Sequence, residues 1–279
     1  MKETNIHLGV LEEPFELTPE HIHFYRENRY IKLKQVLPPE TLSYFSEVIY
    51  EKVRELNTMH LPLEERDTYN KAFLQVMNLW TKSEAVKRLV FSKRLARLAA
   101  ELMGVGGVRL YHDQALFKEP GGGFTPWHAD QYYWPLANDN TITVWIPMQE
   151  TPLDMGPLEF SAQSHRLQNG RQFKISDDSE IQIEQALSQG KFPHIIEPFE
   201  LGEVSFHSGW LFHRAGGNTT KKMRQVMTMI YMDKDMRLKA PENPNQQADW
   251  ESWCPGAKVG AVVDTPLNPV LYTIEGHLG

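Results

Sequence analysis

The spacing of apolar residues along this chain changes twice, and the changes divide it into three zones. Up to about residue 104 the apolar positions follow helical spacing. Thr18-Pro19-Glu20 reads as a helix start, because Thr can cap and Pro is tolerated at the first helical position. Pro38-Pro39-Glu40 opens a second helix, in which Leu42, Phe45, Val48, Ile49 and Val53 share one face. Leu89, Leu95, Leu98, Ala99 and Leu102 repeat the pattern and predict a helix over 81–103 that stops at Gly104. From about 107 to 235 the segments become short and rich in β-branched and aromatic residues. Val108–His112, Ala115–Phe117, Thr141–Ile146, Leu158–Phe160, Glu203–Phe206 and Gln225–Tyr231 are expected strands. Turns such as Glu119-Pro120-Gly121-Gly122-Gly123 separate them. One insertion, within 163–200, interrupts the series: Ser179-Glu180-Ile181-Gln182 has the capping-box pattern and predicts a helix ending near Gly190, read as a cover over the mouth of the β core. Residues 240–279 are rich in Pro, Asn, Gly and Trp and read as an extended tail, with Trp250, Trp253 and Cys254 as its anchors.

The implied fold class is mainly β with α, a jelly-roll or cupin-like double sheet with the N-terminal helices packed on it. At 279 residues a single domain over 1–279 is the expectation. A chain of this size can bury roughly 75% of its unfolded surface, enough for a core and an enclosed pocket. The net charge of −7 argues against a general nucleic-acid backbone binder, with a local basic patch left open. The single cysteine excludes an intrachain disulfide and fits a reducing, cytoplasmic setting. The first residues lack an apolar signal core, and no apolar run approaches the ~18 residues of a membrane span, so neither secretion nor membrane insertion is expected. The oligomeric state is left open by the sequence.

The chemistry concentrates in Trp127-His128-Ala129-Asp130 and Leu211-Phe212-His213-Arg214, followed by Arg224. In a strand, alternate side chains share a face, so His128 and Asp130 are expected on the same side, one pleat apart. Two histidines and one carboxylate are the donor set of the facial triad that holds non-haem Fe(II). A His-x-Asp alone is more often an ordinary loop pair. The added His213, and Arg224 eleven positions later, change the balance. His207 is the rival to His213, either as a hydrogen-bond donor behind the ligands or as a packed core residue. His21 and His23 would diverge by roughly 200° on a helix of 3.6 residues per turn, so a structural role is expected. His112 and His165 read as hydrogen-bonded scaffold. Lys118 reads equally as a solvated strand-end charge or as a cation near the substrate. The aromatics Tyr132, Tyr133, Trp134, Trp210 and Phe212 are either core or a substrate wall.

Lys118-Glu119-Pro120-Gly121, Pro126–Asp130, Gly156-Pro157-Leu158, Phe206-His207, His213, Gly217-Asn218 and Arg224 together resemble the phytanoyl-CoA dioxygenase family over roughly 108–232. Two departures are visible. Ala129 stands where the family often has Gln, and Ala162-Gln163-Ser164-His165 stands where it usually has Pro-Gly-Ser-His. The resemblance implies a double-stranded β-helix core and an Fe(II)- and 2-oxoglutarate-dependent dioxygenase using O2. His128, Asp130 and His213 would hold the metal. Arg224 would bind the distal carboxylate of 2-oxoglutarate, since a guanidinium offers two parallel donors. Thr143, Gln114 and Trp134 are weaker candidates for the wall around that cosubstrate. The implied reaction is hydroxylation of a small or medium organic metabolite, with 2-oxoglutarate converted to succinate and carbon dioxide. An intact Asp130 argues against the halogenating relatives. Two other classes remain: a non-catalytic, cupin-like metal- or ligand-binding protein, and a zinc hydrolase, which leaves Arg224 without a role. No phosphate cradle or basic cluster points to a CoA ester.

Overall fold

The structure is a computed structural model describing residues 8–274. In chain order it holds α1 (Pro19–Asn28), β1 (Tyr30–Leu33), α2 (Pro39–Leu56), the short α3 (Thr68–Ala72), β2 (Leu74–Met77), α4 (Glu84–Val90) and α5 (Lys93–Met103). The β-rich part begins with β3 (Gly107–Phe117), β4 (Thr125–His128), β5 (Thr141–Pro147) and β6 (Leu158–Ser161). It continues with α6 (Asp177–Gln189), β7 (His194–Ile195), β8 (Val204–Ser208), β9 (His213–Ala215), β10 (Val226–Asp233), α7 (Pro244–Trp253) and β11 (Val270–Thr273). Seven strands form one antiparallel sheet in the order β1-β8-β5-β10-β3-β11, with β2 also paired to β3. Four form a second, in the order β4-β9-β6-β7. The fold class expected from the sequence is the one observed: two antiparallel sheets, with helices packed on the larger.

Alternation along the central strands explains the layering. Ile142, Val144 and Ile146 of β5, with Met227, Met229 and Tyr231 of β10, are fully buried in one cluster with Phe45 and Ile49 of α2 and Leu95 and Leu98 of α5. The intervening residues of the same strands face the other way, Trp145 and Val226 toward Leu158 and Phe160 of the smaller sheet and Ile230 and Met232 toward Leu238, Cys254 and Val263. Each fully buried aliphatic or aromatic side chain contributes about 1.5–3 kcal/mol. Of these helices α5 makes the broadest contact with the large sheet, on β3, β5, β10 and β11, while the α2 face of Leu42, Phe45, Ile49 and Val53 joins the same core through β2 and α4.

Several expectations need correction. The zone up to 104 is not purely helical, because β1 and β2 join the large sheet. Each has only four residues, too few to display a period between longer helices. The helix expected over 81–103 is two helices: the Ser83 and Ser92 hydroxyls accept from the Val86 and Leu95 N–H groups, starting a helix twice. Gly104 does end the second, at φ +73°. Val108–His112 and Ala115–Phe117 are one continuous strand. The insertion helix begins three residues before the expected box, with Ser176 as cap and Ser179 as its reciprocal partner. It packs Ile183 and Leu187 with Trp127 and Phe212, while Ile175, just before it in the same insertion, lines the cavity. The 240–279 tail contains α7 and β11. His21 accepts from the Thr18 N–H and closes the cap of α1, the structural role expected of it. Among the described residues, no helix is long and apolar enough to cross a membrane.

Because Phe45 is fully buried in the core cluster that α2 shares with β5 and β10, Phe45→Ala is expected to cost about 3–5 kcal/mol of unfolding free energy in a urea titration. A loss under about 1 kcal/mol would mean that Phe45 is not packed in this core.

Candidate metal centre

Strand register brings polar side chains into two rows on the inner face of the large sheet. Thr143 stands opposite both His207 and Ile230, and Ile230 opposite His112. Two residues along, Trp145 stands opposite Thr228, and Thr228 opposite Gln114. All seven line one cavity of about 310 Å³. The smaller sheet supplies its other side through β4 and β9, where His128 lies directly opposite His213.

Those two imidazole rings are 4.1 Å apart between centroids. Asp130 is not a strand residue as expected: β4 ends at His128, and Asp130 begins a 3-10 turn. Ala129 between them is extended (φ −124°, ψ 128°), so the one-pleat relation survives. Asp130 Oδ1 lies 3.6 Å from both His128 Nε2 and His213 Nε2. The three donor atoms fall within 4.8 Å of one another. Behind them, His128 Nδ1 is 2.7 Å from the Pro126 carbonyl and His213 Nδ1 is 3.0 Å from that of Leu211. A carbonyl only accepts, so each ring carries its proton on Nδ1 and turns an Nε2 lone pair toward Asp130. The other carboxylate oxygen, Oδ2, accepts from Thr143 Oγ1 at 3.0 Å and from His207 Nε2 at 3.4 Å. His207, the sequence rival of His213, thus holds the carboxylate from the far side.

The electrostatics suit a cation. Burial pushes the Asp130 carboxyl up, but the surrounding His213, His128 and His207 outweigh it and hold it well below the ordinary carboxylate range. Burial, followed by the His128 charge, pushes His213 well below the usual imidazole range. An ionised carboxylate beside a neutral imidazole is the protonation state that metal binding requires. Two imidazole nitrogens and one carboxylate oxygen fit Fe(II) with coordination positions left open.

Arg224 is 2% exposed and lines the same cavity. It sits just before β10 rather than in it, bridged to Lys118. One guanidinium nitrogen donates to the Gly156 carbonyl and the group lies 5.6 Å from the Trp145 ring centre, but Nε has no partner. Burial alone pulls its pKa to about 9. Among the described residues no carboxylate pairs with it, so a buried cation with a free donor faces a cavity that a carboxylate ligand could fill. Gly156 has φ +70°, and a Cβ there would collide with the Gly216 carbonyl, so only glycine lets this turn present its oxygen to Arg224.

The remaining expectations divide. Thr143, Gln114 and Trp134 all line the cavity. Thr143, however, spends its hydroxyl on Asp130, and Gln114 Oε1 accepts from Gln75 Nε2 at 2.6 Å. Of the aromatic cluster, Tyr133 and Trp134 reach the cavity, while Tyr132, Trp210 and Phe212 do not. Lys118 is neither solvated nor in the cavity: it is fully buried, and its Nζ donates to the carbonyls of Gly123 at 2.6 Å and Gly216 at 2.7 Å. His165 lies away from the cavity. His112 lines it, and its Nδ1 has no hydrogen-bond partner. Sequence reasoning missed Tyr69, Gln75, Asp249 and Trp253, which line the cavity from α3, β2 and α7. They come singly from distant elements, so no local spacing marks them.

Burial lowers the His112 pKa from the usual 6.5 to about 4, so as pH falls the unfolded chain takes up this proton first. The stability that neutral His112 contributes is present above pH 6.5 and lost toward pH 4. His112→Leu is expected to lose less stability than wild type between pH 7 and 4, by up to about 3 kcal/mol in denaturant titrations. Equal acid losses in the two proteins would contradict a neutral, buried His112.

The profile of the phytanoyl-CoA dioxygenase (PhyH) family matches residues 25–226. A probable alpha-ketoglutarate-dependent hypophosphite dioxygenase from Stutzerimonas stutzeri is 25% identical over 175 residues, 59% of this chain and 59% of that protein. The chain thus spans 59% of the length of this curated relative. Among solved structures, the non-haem alpha-ketoglutarate-dependent carbocyclase SnoK of nogalamycin biosynthesis superposes with TM-score 0.74 at 24% identity, covering 92% of this chain and 99% of SnoK. The epimerase SnoN, in complex with Fe3+, alpha-ketoglutarate and nogalamycin RO, gives TM-score 0.74 at 22% identity over 91% of this chain and 98% of its own.

Proposed function

The chain belongs to the phytanoyl-CoA dioxygenase family, and from that premise we propose that it is an Fe(II)- and 2-oxoglutarate-dependent oxygenase that hydroxylates a small organic molecule. The observation that carries this reading is the pairing, in one cavity, of the His128–Asp130–His213 cluster with a buried Arg224 that has no anionic partner. His128 Nε2, His213 Nε2 and Asp130 Oδ1 hold the metal. Thr143 and His207 hold Oδ2, which leaves Oδ1 as the Asp130 oxygen that would hold the metal. Arg224, whose guanidinium lies beside the Trp145 ring, would receive the distal carboxylate of 2-oxoglutarate. When bound, the iron and cosubstrate supply decarboxylation to succinate coupled to oxidation of a C–H bond by O2. Tyr69, Phe73, Tyr133, Trp134 and Trp253 wall the substrate side and keep water from the reacting atoms. All 279 residues are read as one oxygenase domain, and the single, buried Cys254 suits a reducing cytoplasm.

The test is succinate formation from 2-oxoglutarate by the Fe(II)-loaded protein in air. Arg224→Ala removes one side of a buried charge pair, so the KM for 2-oxoglutarate should rise roughly 30-fold or more while Fe(II) affinity stays level. An unchanged KM would sink the assignment of Arg224, and absence of succinate from the iron-loaded wild type would sink the oxygenase reading.

A further inference from the structure

Asp249, on α7, is the second carboxylate among the residues lining the cavity, after Asp130. Its Oδ2 accepts from the Tyr111 hydroxyl at 3.1 Å. Tyr111 is the extra residue of β3 where the pairing with β10 shifts register, an irregularity of the kind that re-aims side chains beside sites. Among the described residues no lysine or arginine forms an ion pair with Asp249. Burial therefore raises its pKa to about 7, hydrogen bonds from Tyr111 and Trp253 pull it back, and the Asp130 charge raises it further.

On the function proposed above, the positive charges of the cavity are already matched. Iron and Arg224 stand against Asp130 and dianionic 2-oxoglutarate, and Asp249 is left over. A partly buried carboxylate without a counter-charge is costly to keep ionised, and a ligand that supplies the charge removes the cost. The surroundings favour an organic cation over a metal: Tyr69, Phe73, Tyr133, Trp134 and Trp253 line the same cavity, and their ring faces attract ammonium groups.

We propose that Asp249 anchors the substrate, and that the substrate carries an amine or related organic cation seated between this carboxylate and the aromatic wall. The inference rests on the oxygenase reading for its charge balance, and deepens it by naming the substrate class.

The test uses anaerobic protein loaded with Fe(II) and 2-oxoglutarate, titrated by calorimetry with phenethylamine and, separately, with 3-phenylpropionate. Wild type should bind the amine and not the acid, and Asp249→Asn should bind the amine at least about tenfold more weakly, the loss of one charge-assisted hydrogen bond. Preference for the acid, or unchanged amine affinity in Asp249→Asn, would overturn the proposal. The visible band of the iron–2-oxoglutarate chelate is read on the same samples. If it persists in Asp249→Asn, the centre is intact and the amine result stands. If it is lost only in the variant, Asp249 belongs to the centre and the anchoring role fails. If it is missing from wild type, the oxygenase reading fails, while the amine comparison still decides the role of Asp249.

Discussion

The Asp130 carboxylate joins the two sheets, and the site depends on that junction. Oδ1 faces His128 and His213, which stand opposite each other on β4 and β9 of the smaller sheet. Oδ2 accepts from Thr143 and His207, which stand opposite each other on β5 and β8 of the larger one. One side chain thus reads the register of both sheets. A slip of one residue in either pair would turn a partner to the other face, because the side-chain period of a strand is two. The carbonyls of Pro126 and Leu211 complete the arrangement by fixing the protons of both histidines on the side away from Asp130.

Around this junction, the buried Lys118 and Arg224 side chains hold the flanking loops. Lys118 and Arg224 exchange backbone hydrogen bonds at 2.9 Å in both directions, and Asn218 donates to the Lys118 carbonyl. With the Lys118 ammonium on Gly123 and Gly216, and Arg224 on Gly156, three glycine-bearing turns are tied to one point. The insertion helix α6 works from behind. Glu180 accepts from the Trp127 N–H at 2.7 Å and pairs with Arg214, so it touches the residues next to His128 and His213. Its position is that of a brace for the two ligand strands, consistent with its absence from the cavity lining.

Much of this was legible in the sequence, for identifiable reasons. His128, Asp130, His213 and Arg224 form a spaced set, and spacing survives without coordinates. The α2 face was visible because five apolar positions repeat along one helix. The Ser92 break was not, because one cap hydroxyl adds only about 1 kcal/mol to a pattern that stays apolar across it. β1 and β2 gain their stability from the large sheet, which a short window cannot see. Asp249 and Trp253 lay in a segment without periodicity, and only the tertiary placement of α7 brings them to the cavity. Lys118 shows the opposite failure: a conspicuous charge in the sequence is a fully buried tie between loops.

The most direct test of the centre is the visible metal-to-ligand charge-transfer band formed when Fe(II) and 2-oxoglutarate are added together without oxygen, compared between wild type and His128→Ala. The geometry at Asp130 predicts a band in wild type and none in the variant at the same protein, iron and cosubstrate concentrations. A folded, iron-loaded wild type without the band, or a band of equal strength in His128→Ala, would contradict the assignment of these residues as the iron site.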